Sequence, residues 1–190
     1  MGQTWASLMN EGGYSQLNTG TALNTSTSLT DISPGGNVAG QAYQFNADYL
    51  QVGFQFLVYA SGIVSNTSTP TLNLGLYFGG IAGTALATTG ALTTTSGLSN
   101  TTWELEAKMR VDAVGTSGSI RTNGHVLGPI FGTTTCVMIP ASSSSGNNVT
   151  VNTGAASNIL TVGAQWSASS ASNSIQVIEF AVVKFNEGNV

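Results

Sequence analysis

The chain has 190 residues, of which four are basic and eight acidic, so charged side chains make up 6% of it, against about a quarter in an ordinary soluble domain. Catalysis, metal binding and nucleic-acid binding draw on residue types this sequence nearly lacks, and Lys108, Arg110, Arg121 and Lys184 are too scattered to track a phosphate backbone. The length fits a single domain, the apolar fraction of 41% suffices for a core without disulfides or metals, and a surface so short of charge offers little repulsion against self-association.

Residues 1–47 are rich in Gly, Asn, Ser and Thr and carry only brief apolar repeats. They read as an N-terminal arm with a pair of short edge strands, ending at the turn Ser33-Pro34-Gly35-Gly36. Trp5, Leu8 and Met9 form an apolar knot in that arm with no partner nearby in sequence, the kind of segment that docks on another surface. Residues 48–190 read as the β-domain. Tyr49 to Tyr59 alternates in part, and Leu72, Leu74, Leu76 and Phe78 alternate with Asn73, Gly75 and Tyr77. Ser65–Pro70 and Ile81–Ser99 have turn-and-loop composition.

Trp103 to Val114 is the clearest element. Trp103, Leu105, Ala107, Met109, Val111 and Ala113 face one way, while Glu104, Glu106, Lys108, Arg110 and Asp112 face the other. That is the period of a half-buried strand; a helix would spread the same apolar residues around its circumference. Beyond the Gly115–Gly118 turn, strand signals recur at Ser119–Leu127, Cys136–Ile139, Val149–Val151, Ile159–Trp166 and Ile175–Phe185. Ala141–Asn147 and Ser167–Asn173 serve as small-polar linkers. Seven or eight short strands without a convincing helix predict an all-β, single-domain antiparallel β-sandwich or jelly roll.

No residue set points to an enzyme. His125 is the single histidine, read as a strand-end or loop residue, and Ser119 stands where a nucleophile elbow would need its last glycine. Glu104 and Glu106 lie roughly 6–7 Å apart on a strand face, near a glycosidase separation. Lys108 and Arg110 share that face, however, which spoils it for general-acid chemistry and leaves the row Glu104, Glu106, Lys108 and Arg110 as a solvated or interface-facing strip. Asp31, Asp48 and Asp112 are isolated, so no metal site and no cofactor are expected. Cys136 is the lone cysteine and forms no intrachain disulfide. The N-terminus has no signal-peptide pattern, and the apolar runs fall short of the roughly 20 residues that span a bilayer. The expectation is a soluble protein made inside a cell, with neither membrane nor nucleic acid as partner. Trp5, Trp103, Trp166 and the five tyrosines could stack on sugars, though most are spaced as core or half-buried strand residues.

Three blocks carry a resemblance: Trp103-Glu104-Leu105-Glu106-Ala107-Lys108-Met109-Arg110, then Gly115-Thr116-Ser117-Gly118-Ser119, then Gly163-Ala164-Gln165-Trp166 running through Ser174-Ile175 into Val177-Ile178-Glu179-Phe180. Over roughly Thr101 to Phe185 the chain resembles small jelly-roll virion proteins of tailed bacteriophages, among them trimeric head decoration (cement) proteins. The resemblance implies a hairpin followed by a closing hairpin of the roll. It also implies a homotrimer on the outer head surface of the virion, synthesised in the host cytoplasm, with the major capsid protein as partner. In that reading Trp5, Leu8 and Met9 contact the capsid and the Glu104–Arg110 row lies at an interface. The alternative is a tail-associated receptor- or carbohydrate-binding module.

Overall fold

Apolar and polar side chains alternate along the long segments, and such segments form strands because successive side chains point to opposite faces. The computed structural model describes residues 14–16, 20, 22–34, 43–46, 49–132, 134–140, 147–155 and 158–187, and no helix occurs among them. The N-terminal stretch contributes β1 (Tyr14–Gln16), β2 (Leu23–Asn24), β3 (Thr30–Asp31) and β4 (Tyr43–Phe45). Then follow β5 (Phe54–Ser65), β6 (Thr71–Phe78), β7 (Thr84–Thr88) and β8 (Leu92–Thr93). The hairpin of β9 (Thr101–Ala113) and β10 (Gly118–Phe131) leads to β11 (Thr134–Ile139) and β12 (Asn148–Val151). The chain closes with β13 (Asn158–Trp166) and β14 (Ser174–Glu187).

These strands make two antiparallel sheets packed as a sandwich. In the large sheet the four long strands lie in the order β14-β5-β9-β10; in the small one β13 lies beside β6. Each flanking long strand is covered on its outer side by two short strands placed end to end. These are β1 and β2 on β14, β11 and β12 on β10, β3 and β4 on β13, and β7 and β8 on β6.

The core lies between the sheets. Phe56, Val58, Ala60, Leu105, Ala107, Met109, Val111 and Ile120 come from the large sheet, and Leu72, Leu74, Leu76, Leu160, Val162 and Ala164 from the small one, all at most 1% exposed. Trp103 and Trp166 are both 1% exposed, so these two rings are core residues and cannot stack on a sugar. Trp103 stands opposite Gly62, where an added Cβ would come within 2.9 Å of the indole and 1.9 Å of the Gln176 carbonyl oxygen. Leu23, Ile32 and Phe45 from the first 47 residues belong to the same cluster. Phe45 packs edge-on against Tyr43 and Phe56, with ring centroids 4.7 and 5.1 Å away. At the same end Lys184 holds its ammonium 3.7 Å from the Phe54 ring centroid, a cation–π contact.

Three expectations are corrected. Fourteen strands stand among the described residues instead of seven or eight, because two- and three-residue edge strands are too short to show a period. The tract Ile81–Ser99 is not all loop: it carries β7 and β8, and it is pinned to the β5–β6 connection by buried Asn66. Asn66 Nδ2 donates to Thr94 Oγ1 at 2.8 Å, and Asn66 Oδ1 accepts from the Leu98 N–H at 3.2 Å. His125 lies inside β10, which runs on to Phe131, and not at a strand end.

Candidate interaction face

The β9–β10 turn sets the register of the charged strip. Gly115 takes φ +103°, a left-handed conformation that favours glycine. Its N–H donates to Thr153 Oγ1 at 2.8 Å and its carbonyl accepts from the Gly118 N–H at 3.1 Å. From there β9 and β10 pair so that Arg110 faces Arg121, Lys108 faces Asn123, Glu106 faces His125 and Glu104 faces Leu127. On the other side β5 brings Gln55, Leu57, Tyr59 and Ser61 opposite Arg110, Lys108, Glu106 and Glu104. β14 extends these rows with Val183, Ala181 and Glu179 beside Leu57, Tyr59 and Ser61.

The outer face of the large sheet is therefore ruled in rows: Glu179–Ser61–Glu104–Leu127, then Ala181–Tyr59–Glu106–His125, then Val183–Leu57–Lys108–Asn123, and last Gln55–Arg110–Arg121. Glu104, Glu106, Lys108, Arg110, Asp112, Arg121 and Glu179 are seven of the twelve charged residues of the chain, and the one histidine joins them. Glu104, Lys108 and Arg110 are exposed and Glu106 half-buried. Apolar side chains flank them: Val183 is 39% exposed, and Ile178, left unpaired by the register shift between Val177 and Glu179, is 43% exposed.

The basic end is ordered by Asp112. Arg110 Nε donates to its Oδ1 at 2.6 Å and Arg121 Nε to its Oδ2 at 3.0 Å. The Arg110 hydrogen bond, helped by Arg121, holds the Asp112 carboxyl below its ordinary value of 3.8 against the opposing effect of partial burial. Glu104, Glu106 and Lys108 enter no ion pair or side-chain hydrogen bond among the described residues.

The row Glu104, Glu106, Lys108 and Arg110 expected from sequence thus lies on one strand face. The sequence reading missed Arg121, His125 and Glu179, which only strand pairing brings in. The hairpin register implied by the Gly115 turn was the signal that could have placed Arg121 beside Arg110. Trp5, Leu8 and Met9 lie outside the described residues.

The outer face of the small sheet carries little charge and covers itself around Gly163. Gly163 pairs with Gly75, and the Tyr77 ring lies over Gly163 with Ile81 beside it; a Cβ on Gly163 would meet Ile81 Cδ1 at 2.4 Å and Tyr77 Cε2 at 2.6 Å. Burial pushes the Tyr77 phenol up from 10.0, the Asn73 side chain pulling the other way. Its one carboxylate among the described residues, Asp31, is 8% exposed and accepts the Ser33 N–H at 2.9 Å, while Ser33 Oγ accepts the Val162 N–H at 2.7 Å. Burial raises the Asp31 carboxyl above 3.8, with the Ser33 hydrogen bonds working against it.

Two depressions, of about 310 and 390 Å³, are lined by residues such as Gln165 and Ser167 in one and Val52 and Val114 in the other, and neither lining includes an ionisable side chain. Among the described residues no three His, Cys, Asp or Glu side chains gather as metal ligands would. No protein-family model and no curated protein matches the chain.

Proposed function

We propose that this chain is a structural virion protein of the tailed-phage type, a decoration (cement) protein that binds the major capsid protein and stabilises the assembled head lattice. The observation that carries the reading is the gathering of seven of the twelve charged residues on one open sheet face, in a chain whose other polar side chains are mostly neutral. Such a face suits specific docking between large surfaces, where complementary charge sets orientation and the surrounding polar and apolar groups supply area. Reinforcement follows from mass action: a protein that binds only the assembled lattice makes that lattice harder to open. The proposed unit is a homotrimer on the head exterior, with Trp5, Leu8 and Met9 as the capsid-binding arm, and it uses no cofactor and performs no catalysis.

The test is the copy number of this protein in purified virions relative to the major capsid protein, by quantitative mass spectrometry. Hundreds of copies near parity support the decoration role. A few dozen or fewer overturn it and move the protein to the tail, where a receptor-binding module belongs. Deleting Met1–Glu11 should abolish capsid binding while leaving the sandwich folded; undiminished binding removes the arm from the proposal.

A further inference from the structure

We infer that the outer face of the large sheet is a two-fold contact with a second copy of this chain. The inference does not depend on the virion reading, since it rests on how the charges are ordered along one strand; on a head lattice, the lattice would take the place of the second copy on this face. On β9 the outward side chains run Glu104, Glu106, Lys108, Arg110: acid, acid, base, base. The order is antisymmetric about Ala107, each acid lying as far from it on one side as a base lies on the other. A two-fold axis lying in the contact plane and crossing β9 at Ala107 sets Glu104 against Arg110 of the second copy and Glu106 against Lys108. Side chains on one face of a strand repeat about every 6.8 Å in both copies, so all four ion pairs close in one register.

The flanking strands obey the same symmetry. That axis places Leu57 on Tyr59 of the second copy and Val183 on Ala181, two apolar contacts each made twice. On β10 it places Asn123 on His125, and it brings Glu179 to the end of the face that carries Arg110 and Arg121. An isologous interface needs a surface complementary to itself in this sense, and a random arrangement of charges lacks it. Because Glu104, Glu106 and Lys108 have no ion-pair partner within the chain among the described residues, the second copy gives each its first one. Four strands about 4.8 Å apart by about eight residues of 3.4 Å project to roughly 500 Å². That is below the ~800 Å² per partner of a standard interface, so the contact is a weak, reversible one.

Sedimentation velocity on the intact protein tests this, with circular dichroism to verify that each variant is folded. In low salt the mass should double with rising concentration, whatever unit persists in 1 M salt. The doubling should weaken at least ~10-fold in 1 M salt, where the screening length falls to about 3 Å. Glu106→Lys and Lys108→Glu, each alone, oppose like charges across the axis and should abolish the doubling. An equimolar mixture of the two variants restores every opposite-charge pair and should recover it, as should the double variant E106K/K108E. A wild-type protein that does not double in low salt overturns the inference. So does a single variant that doubles as readily as wild type, or a folded mixture that fails to recover.

Discussion

On the outside of the small sheet, Tyr77 packs against Gly163 and is 5% exposed; on the outside of the large sheet, Tyr59 stands half-buried between Ala181 and Glu106. Both tyrosines occupy outward positions on a long strand. The difference is what sits beside them. The glycine pair Gly75 and Gly163 leaves a trough that an aromatic ring can fill, and Ile81 from the β6–β7 connection closes it. No glycine trough adjoins Tyr59, so its row stays open. An outward residue in a sandwich is thus buried or free according to its cross-strand neighbours, and the chain uses glycine to seal one face and charge to keep the other available.

The sharpest way to break this comparison is to remove the two rings in turn. Tyr77→Ala should cost about 3 kcal/mol, the scale of a buried aromatic deletion, whereas Tyr59→Ala should cost about 1 kcal/mol or less; urea unfolding of the two variants measures both, and equal losses would mean the faces are alike. Filling the trough from the other side comes next. Gly163→Ala pushes a methyl into Tyr77 and Ile81, whose side-chain ends can yield in part, so an overpacking cost of about 1–2 kcal/mol is expected. Ser61→Ala at an open outward position should stay within about 0.5 kcal/mol.

The carboxylates separate the faces by sign. Asp112 has a lowered folded pKa, so its stabilisation is present above 3.8 and disappears as pH falls through the folded value. Asp31 has a raised one, so its contribution is greatest below 3.8 and is lost as pH rises through the folded value. Asp112→Asn should therefore lower the Tm at pH 7 and leave it unchanged in strong acid. Asp31→Asn keeps an oxygen for the Ser33 N–H and should raise the Tm at pH 7, with the gain vanishing below 3.8. Thermal melts of both variants across that range check the signs.

The long strands were legible from sequence because burial on one face writes itself as alternation. Trp103 to Val111 shows it over nine residues, and the structure buries Trp103, Leu105, Ala107, Met109 and Val111 as read. The short edge strands were not. Leu92–Thr93 and Thr30–Asp31 each hold two residues, less than one full repeat plus a partner, and their strand character comes from the long strand they lie against. The face around Glu104–Arg110 was legible only along its own strand. Arg121 and His125 join it by pairing with Arg110 and Glu106, and Glu179 by pairing with Ser61 more than a hundred residues away in the chain, which no local pattern encodes.

The divided sheet margins bear on how such a molecule survives at high concentration. A protein with so few like charges cannot rely on electrostatic repulsion to keep neighbours from adding strand to strand. Among the described residues none of the eight flanking strands exceeds the six residues of Thr134–Ile139, and each margin breaks partway along, where one strand ends and the next begins. A foreign strand therefore meets no long, straight row of open backbone groups on which to template. Protection against edge-to-edge pairing is here steric in origin, and it should be insensitive to the ionic strength that weakens contacts made by charge.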